Sequence, residues 1–129
     1  MTRLIADTNV FLRFILKDNP KQYEDARKLF TSAKENKVEL LVPQIVIFEI
    51  AFALEKYYQF AKDQIIDRLR ALLSAGYLKI QDRDIFKRAL DFYQSQNTSF
   101  VDCFLIAKAE GSQANIFTFD KNLNRFLKG

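Results

Sequence analysis

Short apolar runs alternate along the chain with longer stretches whose apolar residues recur every three or four positions. Arg3 to Ala6 reads as a short buried strand, after which the chain turns at Asp7 into a helical pattern. Asn19-Pro20 marks a helix start, with Asn19 as N-cap, Pro20 in the first helical position and Gln22 placed for a capping box. Tyr23, Ala26, Phe30 and Ala33 follow at helical spacing and predict an amphipathic helix to about Asn36. Val38 to Val42 is a second strand, closed by Pro43. Gln44 to about Tyr58 is helical and apolar on most faces, and Asp63 to Ser74 is a more amphipathic helix. Leu78 to Gln81 predicts a third strand, Asp84 to Gln96 a helix, and Ser99 to Glu110 another apolar helix ending at Gly111. Asn115 to Phe119 reads as a last strand before a short terminal helix.

Short apolar strands alternating with helices imply a parallel sheet covered on both faces. The expected fold class is α/β, a three-layer α/β/α sandwich with a central, mainly parallel sheet. No repeat, low-complexity tract or linker interrupts the 129 residues, so 1–129 is expected to form a single domain. In open parallel sheets the functional crevice lies beyond the carboxyl ends of the strands, so residues directly after strands carry the most information about function.

Composition narrows the chemistry. There is no histidine and one cysteine, Cys103, which excludes Ser-His-Asp and Cys-His nucleophile systems, His-ligated zinc and thiolate zinc. Cys103 sits in FVDCFLIA and reads as a buried thiol. What remains is chemistry by carboxylates, hydroxyls, lysines or oxygen-liganded metals. No leader pattern and no apolar stretch near the roughly 20 residues of a membrane span is present, so a cytoplasmic protein with no membrane partner is expected. The net charge of +4 is mild evidence for a polyanionic partner.

Four carboxylates stand where a core-building sequence would not place them. Asp7 interrupts the apolar run LIADTNVFLRFIL directly after the first strand, and Asp120 follows the strand in NIFTFD. Each can be a helix N-cap. Asp102, in SFVDCFLIA, falls at N3 of a helix capped by Ser99, a favourable place for an acid near the positive end of the helix dipole. Glu49 lies in IVIFEIAFAL, where a helix apolar on nearly every face would bury it, so it needs either an ion pair or a polar cavity. If the four converge at the carboxyl edge of the sheet, their repulsion calls for a divalent cation. Mg²⁺ or Mn²⁺ suits an all-oxygen site and would acidify a water and stabilise charge on a phosphoryl oxygen, which is phosphodiester hydrolysis without histidine.

The segments DTN, PQIVIFE (Pro43 to Glu49), SFVDCFLIAKAEG and TFDKNL occur in the order and approximate spacing of the PIN-domain ribonucleases, and over essentially the whole chain the sequence resembles the VapC-type toxins among them. The resemblance implies that Asp7, Glu49, Asp102 and Asp120 form an acidic metal site. Asp7 and Asp102 would be the principal ligands, Glu49 would bind metal or orient the attacking water, and Asp120 would complete the site directly or through a water. Asn9 and Thr118 would supply supporting hydrogen bonds. It also implies Mg²⁺ or Mn²⁺ dependence, RNA cleavage leaving a 5′-phosphate and a 3′-hydroxyl, a homodimer, and an antitoxin protein that occupies the toxin's groove. Family members often carry a hydroxyl residue on the segment leading to the glutamate, where this chain has Gln44 as the only polar side chain.

With those four set aside, the 16 acidic residues fall to 12 against 20 basic ones, a surplus of about +8 for the rest of the molecule. Such a basic rim suits RNA phosphates. Arg13, Lys121 and Arg125, close in sequence to Asp7 and Asp120, are the candidate RNA contacts. Phe48, Phe52, Tyr57, Tyr58 and Phe60 cluster at spacings that fit core or subunit contacts, and any that are exposed fit an antitoxin helix better than a stacked base. Two other readings remain. A phosphotransfer domain of receiver or aspartyl-phosphate phosphatase type also joins strand-end aspartates to magnesium, but it would favour paired acids or D-x-D where this chain has D-T-N. The other is a PIN-like binding module without activity, against which the complete acid set counts.

Overall fold

A computed structural model of the chain describes residues 1–128, the side chains of Phe126 and Lys128 excepted. The elements in order are β1 (Thr2–Ile5), α1 (Thr8–Leu16), α2 (Pro20–Lys34), β2 (Val38–Val42), α3 (Gln44–Lys56), α4 (Lys62–Ser74), β3 (Leu78–Ile80), α5 (Arg83–Ser95), α6 (Phe100–Ser112) and α7 (Lys121–Lys128). They divide into two compact units, Met1–Gln81 and Asp82–Gly129.

The first unit holds a parallel sheet in the order β1-β2-β3, with Leu4 opposite Leu40 and Leu40 opposite Leu78. The central strand is the most buried, with Leu40 and Val42 almost inaccessible. Helices α1, α2, α3 and α4 pack against one another and the sheet, with Phe11, Phe30, Ile47, Ile50, Leu54, Leu69 and Leu73 in the core. Phe14 meets Phe30 edge-on at 4.7 Å, joining α1 to α2. The second unit is organised by α5 against α6. Phe86 packs on Phe104 with ring centroids 4.8 Å apart, Tyr93 meets Phe100 at 5.5 Å, and Cys103 is buried, as expected of a thiol used as a small apolar group.

Local signals explain most boundaries. Asn19 caps α2, its side chain accepting the Gln22 N–H at 3.0 Å, and Pro20 opens the helix. Pro43 cannot cap α3 with its side chain. That end is closed instead from the residue after β3, where the Gln81 side-chain oxygen accepts the Gln44 N–H at 2.9 Å while the Gln81 N–H donates to Val42 O at 3.0 Å. Five non-glycine residues, Lys17, Asn36, Gln59, Asp82 and Gln113, have φ between 54° and 61°, the left-handed region. Lys17 and Gln113 terminate α1 and α6.

Three expectations need correction. β1 is exposed along its whole length rather than buried, because among the described residues it pairs on one side only, as an edge strand. Residues 114–120 form no strand. The backbone there is satisfied locally, with Thr118 Oγ1 accepting the Asp120 N–H at 3.0 Å and Thr118 O accepting from Asn124 Nδ2 at 3.0 Å, and such side-chain bonds compete with a ladder. Helix α3 is not buried all round. Ile45, Glu49 and Phe52 form an exposed stripe, with Ile45 61% and Phe52 54% accessible.

Leu40→Ala will destabilise the protein by about 2–5 kcal/mol in urea denaturation, because it opens a cavity in the strand paired on both sides. Leu4→Ala, on the half-exposed edge, will cost well under half as much.

Candidate metal and nucleic-acid site

Asp7 lies between β1 and α1 with extended backbone (φ −77°, ψ 173°), and its Oδ1 accepts the Val10 N–H at 3.3 Å. The cap uses one carboxylate oxygen. The side chain is exposed and has no cationic partner among the described residues. Glu49 stands in the second turn of α3, which the Pro43 turn and the Gln81 bond hold at the end of β2. The expected alternatives for it were an ion pair or a polar cavity. It is exposed, and no described lysine or arginine pairs with it.

In the second unit, Ser99 caps α6 by accepting the Asp102 N–H at 3.1 Å, so Asp102 occupies N3 as the sequence predicts. Its half-buried carboxyl group has no hydrogen-bond or ionic partner among the described residues. Asp120 opens α7. Oδ1 accepts the Leu123 N–H at 2.8 Å, and its own N–H is held by Thr118 Oγ1. All four acids are thus anchored by helix starts or helix turns, and none is neutralised by a described lysine or arginine. Asp7 and Glu49 belong to the first unit, Asp102 and Asp120 to the second. Among the described residues no group of three or more His, Cys, Asp or Glu is gathered closely enough to hold a metal ion. The donor chemistry itself fits a hard cation, since carboxylate oxygens without cationic partners suit Mg²⁺ or Mn²⁺.

The supporting residues divide. Thr118 holds the backbone of Asp120, whereas Asn9 has no described bond to Asp7 and lines a cavity beside it. Of the cations, Lys121 is exposed and without a described partner, and Arg125 donates to Asn122. Arg13 is committed within the first unit. Its Nη1 bonds Asp18 at 3.1 Å and its Nη2 bonds the Tyr58 hydroxyl at 2.7 Å, while its buried Nε has no hydrogen-bond partner. Sequence reasoning missed Asp25, which lines the same cavity as Asp7. It sits three residues after Gln22, one turn along α2, a spacing that any solvated acid on that helix could have.

A parallel sheet with Asp7 just beyond its first strand and Glu49 on the helix that follows its second defines an α/β protein whose candidate site lies at the carboxyl edge of the sheet. The family model of the PIN domain matches residues 4–128, and the chain belongs to that family. The three-layer α/β/α class expected from the sequence is the family's, and the parallel sheet of the first unit agrees with it. The chain is similar to the "VapC ribonuclease" of Aquifex aeolicus (strain VF5), 24% identical over 106 residues that cover 82% of this chain and 78% of that protein.

Asparagine caps helices about as well as aspartate, so Asp7→Asn will leave the unfolding free energy within about 0.5 kcal/mol of the parent, whereas Asp7→Ala will lose about 1 kcal/mol. Urea titration of both variants separates the cap from the charge. A loss of about 2 kcal/mol or more in the asparagine variant would mean that the charge itself supports the fold.

Proposed function

We propose that this protein is a divalent-metal-dependent endoribonuclease and the toxin of a type II toxin–antitoxin pair, acting in the cytoplasm. One observation carries the reading. The family match spans all four acids, and none of the four is paired with a described lysine or arginine. Likeness to a VapC ribonuclease supports RNA as substrate. The match also runs across both compact units, which supports reading 1–129 as one PIN-like domain.

Asp7 and Asp102 would be the principal ligands of Mg²⁺ or Mn²⁺, with Glu49 and Asp120 completing the set. When bound, the cation supplies positive charge for the phosphoryl oxygens and acidifies the attacking water. Glu49 would orient that water by accepting a hydrogen bond from it. Attack at phosphorus breaks the bond to the 3′-oxygen and leaves a 5′-phosphate and a 3′-hydroxyl. Thr118 keeps Asp120 in place through the backbone N–H, and Asn9 lines the cavity beside Asp7. Exposed Lys121 and Arg125 attract the RNA backbone. Arg13, already bonded to Asp18 and Tyr58, chiefly ties α1 to the segment after α3.

Partner binding has a separate basis. Ile45, Phe52 and Tyr57 are exposed, and Phe52 meets Tyr57 edge-on at 5.8 Å. Exposed aromatics of this kind mark protein contacts, which supports a homodimer and a cognate antitoxin. No described helix is long and apolar enough to cross a membrane.

Purified, antitoxin-free protein is expected to cut a mixed RNA pool with Mg²⁺ or Mn²⁺, to stop with chelator, and to lose at least about 100-fold in rate as Asp102→Asn. Cutting that persists in the variant would reject the assignment of Asp102. The absence of cutting by a folded, metal-loaded wild type across structured and single-stranded RNAs would reject the ribonuclease reading.

A further inference from the structure

The first unit contains a cavity of about 410 Å³ between the starts of α1 and α2. Its lining includes the polar residues Asp7, Asn9, Gln22 and Asp25 and the apolar residues Val10, Ala26 and Leu29. The side chains of Asn9, Gln22 and Asp25 make no hydrogen bond with other described residues. Gln22 is telling, because at N3 of α2 it could have reached back to the Asn19 N–H and closed a capping box, yet only the forward bond from Gln22 N to Asn19 is made. Its carboxamide stays available to the cavity.

The lining chemistry selects the ligand. Arg13 is the one cation among the lining residues, with Nη1 bonded to Asp18, Nη2 bonded to Tyr58 and its unpartnered Nε buried away from solvent. A phosphate would meet two carboxylates and a single cation already paired with Asp18. A flat heterocycle suits the cavity better, with its face on Val10, Ala26 and Leu29 and its polar edge toward the amides and the carboxylate. Single-stranded RNA is read in this way, by hydrogen bonds to the Watson–Crick edge of an unstacked base. A carboxylate accepts only, so it pairs with an edge that offers two adjacent N–H donors. Among the four bases that edge belongs to guanine, through N1–H and the N2 amino group.

We propose that this cavity is a guanine-reading subsite, with Asp25 as its specificity determinant and Asn9 and Gln22 as positioning residues. Placed against Asp7, it would set which nucleotide lies next to the bond that is cut, and this role in cleavage rests on the ribonuclease reading above. The base preference itself does not.

The test is titration of the metal-free protein with each of the four nucleoside 5′-monophosphates, followed through the side-chain amide resonances of Asn9 and Gln22 by NMR. Guanosine monophosphate is expected to shift both amides and to bind about tenfold tighter than the other three, the scale of one bidentate base contact. Asp25→Asn replaces an acceptor pair with one donor and one acceptor, so the preference is expected to move from guanosine to adenosine. Equal response to all four nucleotides, or no movement of the two amides, overturns the proposal. Tighter binding of arginine amide than of any nucleotide also overturns it and assigns the cavity to a cationic peptide. A guanosine preference in a protein that cuts no RNA would leave the subsite standing and reject the nuclease instead.

Discussion

Strand β2 is hydrogen-bonded on both sides, and in both cases in parallel. That pairing constrains everything in the first unit. Parallel neighbours must be joined by crossovers, so the chain passes through α1 and α2 before β2, and through α3 and α4 before β3. All three strands then deliver their carboxyl ends to the same edge. Asp7 follows β1, Pro43 follows β2 and turns the chain into the helix bearing Glu49, and Gln81 follows β3. Gln81 closes the arrangement by continuing the ladder with its backbone and capping α3 with its side chain. The direction of Glu49 is therefore set by a residue 32 positions away in sequence, at the end of another strand.

At two of the candidate ligands, structural and functional uses share one side chain without conflict. Asp7 and Asp120 each give one carboxylate oxygen to a helix start. A carboxylate has room for further acceptor contacts after that. The capping bond restricts the rotamer and so limits the entropy lost when the second oxygen takes a ligand. This sharing also explains why a single acid of this kind is uninformative in a sequence, whereas four in order are not.

The elements with strong local signals were legible. The Asn19-Pro20 start, the Ser99 cap and the Val38–Val42 strand stand where the pattern puts them, because each depends on residues adjacent in sequence. What failed depended on partners. The segment from Asn115 to Phe119 has the composition of a strand, but composition does not supply a neighbouring ladder, and Thr118 offered the backbone a local alternative. Glu49 was read as buried because its neighbours in sequence are apolar, yet Ile45 and Phe52 share its exposed stripe. Apolar periodicity reveals a face. It does not say whether the same chain or a different one covers it. The four acids were conspicuous from order and spacing. Asp25 was not, since nothing in α2 distinguishes it from a solvated surface acid until the cavity is seen.

With three glycines in the whole chain, none occupies a described left-handed position, and α1 and α6 end on Lys17 and Gln113 instead. Each such residue carries a backbone penalty of roughly 1–2 kcal/mol that glycine would avoid, with Asn36 the mildest case. Glycine at these positions would release that strain but would lose more chain entropy on folding, so the two effects offset each other in part.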